Sequence, residues 1–99
     1  SIKYKENIVN IDDIITNNLI NLKPVKFNYK TDPNKNPIYG LIAEEVNEYY
    51  PELIIKNNND IESIKYEQLP ILLLLKIQQQ QQEINKLRND VQYLLSILK

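Results

Sequence analysis

The feature that most constrains this chain is a heptad pattern through its last thirty residues. From Pro70 to Lys99 one helical pattern continues without a break, and apolar side chains recur at positions a and d of successive heptads. A single polar residue, Gln80, falls at a d position, where polar side chains commonly set register and strand number. The predicted interface between helices comprises Ile77, Gln80, Ile84, Leu87, Val91, Leu94 and Leu98. A row of side chains at the a and d positions, here called the seam, requires partner helices to cover it.

The flanking positions indicate how many helices associate and in which direction. Glu83, at position g, would face Arg88, the next e position of a neighbouring parallel helix, as an opposite-charge pair. Leu95 and Ile97 widen the apolar stripe near the C-terminal end of the pattern. A stripe broader than a and d alone suits three or more strands, because each helix then covers two neighbours. We expect a parallel homotrimer, with a dimer as the alternative.

Composition excludes several classes of function for the remainder of the chain. The helix leaves about 65 residues for a globular part, a size at which one core is marginal and oligomerisation can supply further burial. A net charge of −1 without a dense basic patch argues against nucleic acid as a partner. The chain has no cysteine and no histidine, which excludes disulfides, the usual zinc sites and histidine-assisted nucleophiles. We expect no cofactor and no metal.

A membrane partner is not expected either. The longest apolar run, Ile71 to Leu75, is far shorter than the roughly 20 residues that a membrane span requires. No N-terminal segment has the charged-then-apolar layout of a signal peptide. The glutamine run from Gln78 to Gln82 is typical of good helix formers at mostly exposed positions.

Local patterns predict an α+β fold with two short helices and a few short strands, followed by a long C-terminal helix in a parallel trimeric coiled coil. We expect a globular part over 1–69 and the coiled-coil helix over 70–99, within a single domain. Residues 1–9 resemble an extended arm, and Pro70 is tolerable only in the first turn of the long helix. The other predicted elements are a helix from Asp12 to Leu22, a strand over 25–29, a loop over 31–37, a helix over 41–50, and a hairpin of 53–55 with 61–64.

Three kinds of residue in the globular part have specific expectations. Gly40 is the only glycine, and we expect it to adopt a backbone conformation that other residues disfavour. Glu44 and Glu45 lie where helix N-terminal acids are favourable, and as neighbours on a helix they cannot act as an acid–base pair. The tyrosines expected to pack in the core or an interface are Tyr39, Tyr49 and Tyr50.

Several short blocks, taken in order, resemble one protein family. The blocks are Lys5-Glu6-Asn7-Ile8, Leu22-Lys23-Pro24 with Phe27 and Tyr29, Tyr39-Gly40-Leu41-Ile42-Ala43-Glu44-Glu45-Val46, Pro51-Glu52-Leu53, and Tyr66 with Leu69. Together they resemble the intramolecular chaperone auto-processing domain at the C-terminus of phage endosialidases, tailspikes and tail fibres, which also occurs in myelin regulatory factor-like proteins. The resemblance covers essentially the whole chain. The resemblance implies that Asn7, Gly40 and Glu45 are motif residues with structural roles.

The resemblance implies an activity and partners. Such domains trimerise at the end of a fibrous or β-rich protein, hold three chains in register while the upstream part folds, and then release themselves by self-cleavage. The family's catalytic pair is a serine, the first residue of the released domain, with a lysine in the Lys-x-Asn-Ile block, which places the roles on Ser1 and Lys5. The implied partners are two further copies and the upstream segment of the precursor, in a virion or in host cytoplasm during assembly. On this interpretation the chain begins at the cut.

The N-terminal block departs from the family pattern at one point. The family pattern places the serine five residues before the lysine, whereas Ser1 and Lys5 are four apart. Either one residue is deleted, or Ser1 is not native to the protein, or the nucleophile lies upstream. Two other functions therefore stay open. One is a trimerisation cap that does not cleave, and the other is the self-cleaving trimerisation domain of a membrane-bound transcription factor.

Overall fold

The structure is a computed structural model that describes residues 1–99, and a long helix projects from a small globular part. Its 3₁₀ helices are η1 (Ile2–Tyr4), η2 (Asp13–Asn21) and η3 (Pro51–Leu53). Its strands are β1 (Val25–Phe27), β2 (Ile38–Gly40), β3 (Ile54–Asn57) and β4 (Asp60–Ile64), and its α-helices are α1 (Ala43–Tyr49) and α2 (Leu69–Ile97). The predicted α+β class is confirmed.

Helix α2 confirms the long C-terminal helix. It contains 29 residues, and Pro70 lies in its first turn, where the missing N–H of proline leaves no hydrogen bond unmade. None of its residues is buried within the chain. No helix of the structure combines the length and the apolar character needed to cross a membrane.

The strands form two separate antiparallel hairpins. Strand β1 pairs with β2, with Val25 opposite Gly40. Strand β3 pairs with β4 around Asn58 and Asn59, whose φ angles are 52° and 68°; asparagine is among the few residues that tolerate positive φ in a two-residue hairpin turn. The second hairpin confirms the predicted one, with a tighter turn than expected.

The predicted short helix before Pro24 is present, as a 3₁₀ helix over Asp13–Asn21, in a sequence rich in β-branched residues and asparagine, which favour the α-helix weakly. Other local predictions were wrong. Part of the expected extended arm is coiled into η1. Strand β1 ends at Phe27, and β2 lies in a segment for which no strand was predicted.

The core is small and lies between η2, α1, the second hairpin and the first turns of α2. Only seven of the 99 residues are buried: Leu19, Val46, Tyr50, Leu53, Ile54, Ile64 and the polar Thr16. Leu69 and Leu72 of α2 pack against this cluster. Because so little surface is buried, association with other chains would add substantially to its stability.

Candidate functional site: the N-terminal arm and the helix seam

The proposed catalytic residues lie at the two ends of η1 on an exposed arm. The carbonyl of Ser1 accepts a hydrogen bond from the N–H of Tyr4 at 3.2 Å, and the N–H of Lys5 donates to the carbonyl of Ile2 at 3.1 Å. The side chains of Ser1 and Lys5 are exposed, and neither hydrogen-bonds within the chain. A lysine that acts as general base needs burial or a nearby cation, and the exposed arm does not bury Lys5.

Asn7 has a backbone geometry that explains its place in the motif. Its φ is 55°, in the left-handed region that asparagine adopts more readily than most residues. The arm changes direction there, after which Val9, Asn10 and Ile11 line a groove beside α2. The apolar residues along the arm remain exposed; they are Ile2, Tyr4, Ile8 and Val9.

Gly40 serves a close approach rather than an unusual backbone conformation. Its φ is not positive, so the expected reason for this glycine was wrong. A Cβ at this position would lie 2.8 Å from Cε1 of Phe27 and 3.0 Å from Oη of Tyr66. The same Tyr66 hydroxyl accepts a hydrogen bond from the N–H of Leu41 at 2.9 Å. Because Gly40 has no side chain, the hydroxyl of Tyr66, which lies between β4 and α2, can reach the junction between β2 and α1.

Helix α1 presents the motif acids at its N-terminus. Glu44 and Glu45 both lie in its first turn, as expected, and both are exposed. Tyr50, which caps the helix, is buried, and its hydroxyl donates to the carbonyl of Ile15 at 2.6 Å. Burial raises the pKa of Tyr50 above its ordinary value. Tyr39 is 87% exposed, so it does not belong to the core of the chain.

A polar contact that sequence reasoning missed joins η2 to α2. Thr16 is fully buried, and its hydroxyl lies 2.6 Å from Oε1 of Gln79. The amide Nε2 of Gln79 donates to the carbonyl of Asp13 at 3.1 Å. We call these three residues the Thr16–Gln79 clamp. Gln79 lies within a run of five glutamines, so no local signal distinguishes it from its neighbours.

The seam residues of α2 are uncovered within the chain. The apolar a and d side chains from Leu73 to Leu98 are between 44% and 81% exposed, and Gln80 is exposed among them. The seam side chains are Leu73, Ile77, Gln80, Ile84, Leu87, Val91, Leu94 and Leu98. Such a continuous exposed apolar stripe is typical of an interaction surface. No group of three or more acidic side chains in the structure could hold a metal ion.

A small α+β body bears a long helix whose apolar seam is uncovered within the chain, an arrangement typical of a surface that pairs with other helices. The family model described as chaperone of endosialidase matches residues 1–55, so the chain belongs to that family. The matched part contains the motif blocks around Asn7, Gly40 and Glu45; α2 lies beyond it. Neither the curated proteins nor the solved structures include a significant match. Membership supports an intramolecular chaperone role.

Proposed function

We propose that this chain is a C-terminal intramolecular chaperone that trimerises through α2, registers three copies of an upstream fibrous or β-rich protein, and is released by self-cleavage before Ser1. The observation that carries the proposal is the exposed seam of α2 in a member of the chaperone of endosialidase family. The upstream protein is in this proposal a viral tail fibre or tailspike.

Burial of the seam supplies the driving force for assembly. Each apolar seam side chain contributes on the order of 1.5–3 kcal/mol when it is fully removed from water. Seven such residues in each helix can offset an association cost of about 4–15 kcal/mol. Glu83 and Arg88, at positions g and e, favour the parallel arrangement.

Trimerisation at one end of a chain assists folding upstream of it. Once three chains are joined, their upstream segments meet at an effective concentration of about 1 mM or more rather than at the dilute concentration of free chains. Non-local β-structure, which otherwise forms slowly, then assembles almost intramolecularly. Removal of the chaperone afterwards leaves the folded fibre kinetically trapped.

The cleavage step uses Ser1 as nucleophile and Lys5 as general base. The Oγ of Ser1 adds to the carbonyl carbon of the preceding residue while neutral Lys5 accepts the hydroxyl proton. The C–N bond breaks, the proton passes to the amine of Ser1, and the acyl group remains on Oγ as an ester. Water then hydrolyses the ester and frees the upstream carboxylate. In this proposal the assembled trimer covers the arm and supplies the burial that Lys5 needs.

A trimerisation cap that does not cleave is the second candidate. The four-residue spacing of Ser1 and Lys5 departs from the family pattern, and the two exposed side chains make no hydrogen bond to each other in the chain. Both observations favour a chaperone that stays attached to its fibre.

Expression with the native upstream segment tests the proposal. Intact mass spectrometry and light scattering should reveal a trimer whose released product begins at Ser1. Lys5→Ala should abolish cleavage and keep the trimer, whereas Leu87→Asp should abolish both, because a charge in the seam prevents assembly. Lys3→Ala, a change to another exposed lysine of the same arm, is the matched control and should cleave normally.

The outcomes separate the two candidates. A stable trimer that is not cut would support the trimerisation cap that does not cleave. A cut at another peptide bond would show that Ser1 is not the nucleophile. A Leu87→Asp monomer that still cleaved would refute the dependence of cleavage on assembly.

A further inference from the structure

Two grooves run along the N-terminal half of α2. The first, the η2 groove, lies between η2 and the seam; its lining residues are Leu19, Ile20, Leu73, Lys76, Ile77 and Gln80. The second, the arm groove, lies between the base of the arm and α2, and Leu74 lines it together with Val9 and Ile11. Residues from the C-terminal half of η2 border the η2 groove, whereas residues 9–11 and Asp13, the first residue of η2, border the arm groove.

The two grooves lie on different sides of the helix. With Ile77 at position a, Lys76 of the η2 groove is at g and Leu74 of the arm groove is at e. Residues two apart on an α-helix point about 160° away from each other. Position g therefore flanks the seam on one side and position e flanks it on the other. The Thr16–Gln79 clamp holds η2 against α2, which fixes the first groove in place.

Each groove exposes a large apolar side chain. Ile20, at the edge of the η2 groove, is 78% exposed, and Leu74, in the arm groove, is 52% exposed. In a parallel assembly, position g of one helix faces position e of its neighbour. A chain that places its seam against a second copy consequently brings its η2 groove to the arm-groove side of that copy.

We infer that the assembly interface extends beyond the seam, with the η2 groove of each copy receiving the e side of the next copy's α2 so that Ile20 packs on Leu74. The inference rests on the proposed trimer and names a contact outside its coiled coil. The occupant is a second copy, because the groove is continuous with the seam at Leu73 and Ile77. Repeated around a three-fold axis, the contact closes into a ring.

The contact would also link assembly to the arm. Val9 and Ile11 line the same groove as Leu74, and the arm leads from them to Lys5 and Ser1. A neighbour seated in the arm groove covers Val9 at the base of the arm, which is 82% exposed in the single chain. The proposed processing residues are thereby positioned only when the next copy is present.

Cross-linking tests the contact directly because the chain contains no cysteine. The double variant Ile20→Cys/Leu74→Cys is treated with a short bis-maleimide, alongside each single variant. We expect a covalent trimer on a denaturing gel, at three times the 11.7 kDa chain mass, from the double variant alone. The matched control is Ile20→Cys/Gln82→Cys, since Gln82 at position f points away from the seam.

Light scattering of the unmodified chain distinguishes failure of the contact from failure of the trimer. A trimer in solution whose Ile20→Cys/Leu74→Cys variant yields no covalent trimer would overturn the contact and leave the proposed function intact. Equal cross-linking of the Gln82 control would overturn the contact as well. A monomer or a dimer in solution would overturn the trimer and the contact together.

Discussion

At Gly40 the chain leaves no room for a side chain, so the smallest substitution should be costly. The added Cβ of Gly40→Ala would lie 2.8 Å from the ring of Phe27, and the ring or the β1–β2 pairing must shift. We expect a loss of about 1–3 kcal/mol in the free energy of unfolding. Urea unfolding followed by circular dichroism, at fixed chain concentration, measures it.

A second substitution separates a steric effect from a backbone effect. Phe27→Leu removes the ring edge that meets the new methyl group, so Gly40→Ala/Phe27→Leu should be less destabilised than the sum of the two single variants. If the losses of the two single variants simply add in the double variant, the clash with Phe27 is not the cause of the destabilisation. If Gly40→Ala is as stable as the wild type, Gly40 is not needed for a close approach.

Tyr50 should make the chain sensitive to alkaline pH. Burial raises the pKa of its phenol in the folded state, so the unfolded chain releases the proton first as pH rises above about 10. The folded state then binds more protons, and stability falls through this range. Tyr50→Phe should cost about 1 kcal/mol at neutral pH through the lost hydrogen bond to Ile15.

The pH dependence of the difference between wild type and Tyr50→Phe isolates this group from the other tyrosines and the lysines. We expect the advantage of the wild type to shrink as pH rises above about 10, because Tyr50→Phe cannot ionise. Urea unfolding at a series of pH values gives the curve. A constant difference across that range would contradict the role assigned to burial.

At the scale of elements, the Thr16–Gln79 clamp joins η2 to the long helix. Gln79→Ala removes both of its hydrogen bonds to η2, and we expect it to lower the free energy of unfolding by about 1 kcal/mol. Gln82→Ala changes an exposed glutamine of the same run and should stay within about 0.5 kcal/mol of wild type. Thermal unfolding at one chain concentration compares them, and equal stabilities would show that the clamp is energetically neutral.

Elements determined by adjacent residues could be predicted, and those determined by distant partners could not. Heptads and a first-turn proline indicated α2, and a cluster of asparagines indicated the turn between β3 and β4. Strand β2 has three residues and exists through its pairing with β1 across a long loop. Thr16 and Gln79 are 63 positions apart, so nothing near either residue indicates the contact.

The residues of the candidate site also fall into two groups, those that local sequence could locate and those whose role depends on distant residues. Asn7, Gly40 and Glu45 could be located through the family pattern, because each lies in a block whose spacing is set locally. The physical reason for Gly40 could not, since the limiting atoms belong to Phe27 and Tyr66. The geometry that would activate Ser1 and Lys5 is not encoded in their own segment, which is exposed in the single chain.

At the scale of the whole molecule, we expect Gln80 to lower the stability of the assembled form and to make its oligomeric state more uniform. Gln80→Leu places an apolar side chain at a d position of the seam, so the assembled form should resist denaturant better while its oligomeric state becomes less uniform. Gln82→Leu, at the outward f position, should change neither property. Sedimentation velocity and guanidinium unfolding report the two effects. A less stable Gln80→Leu assembly would contradict the position of Gln80 in the seam.

The Thr16–Gln79 clamp also has a consequence for the timing of synthesis. A nascent chain cannot close this contact until residue 79 has left the ribosome, and elongation adds about 5–20 residues per second. Most of the seam, from Ile84 to Leu98, leaves the ribosome after residue 79. Each globular body can therefore close its clamp while most of its seam is still inside the ribosome, so pairing of the helices follows formation of the body.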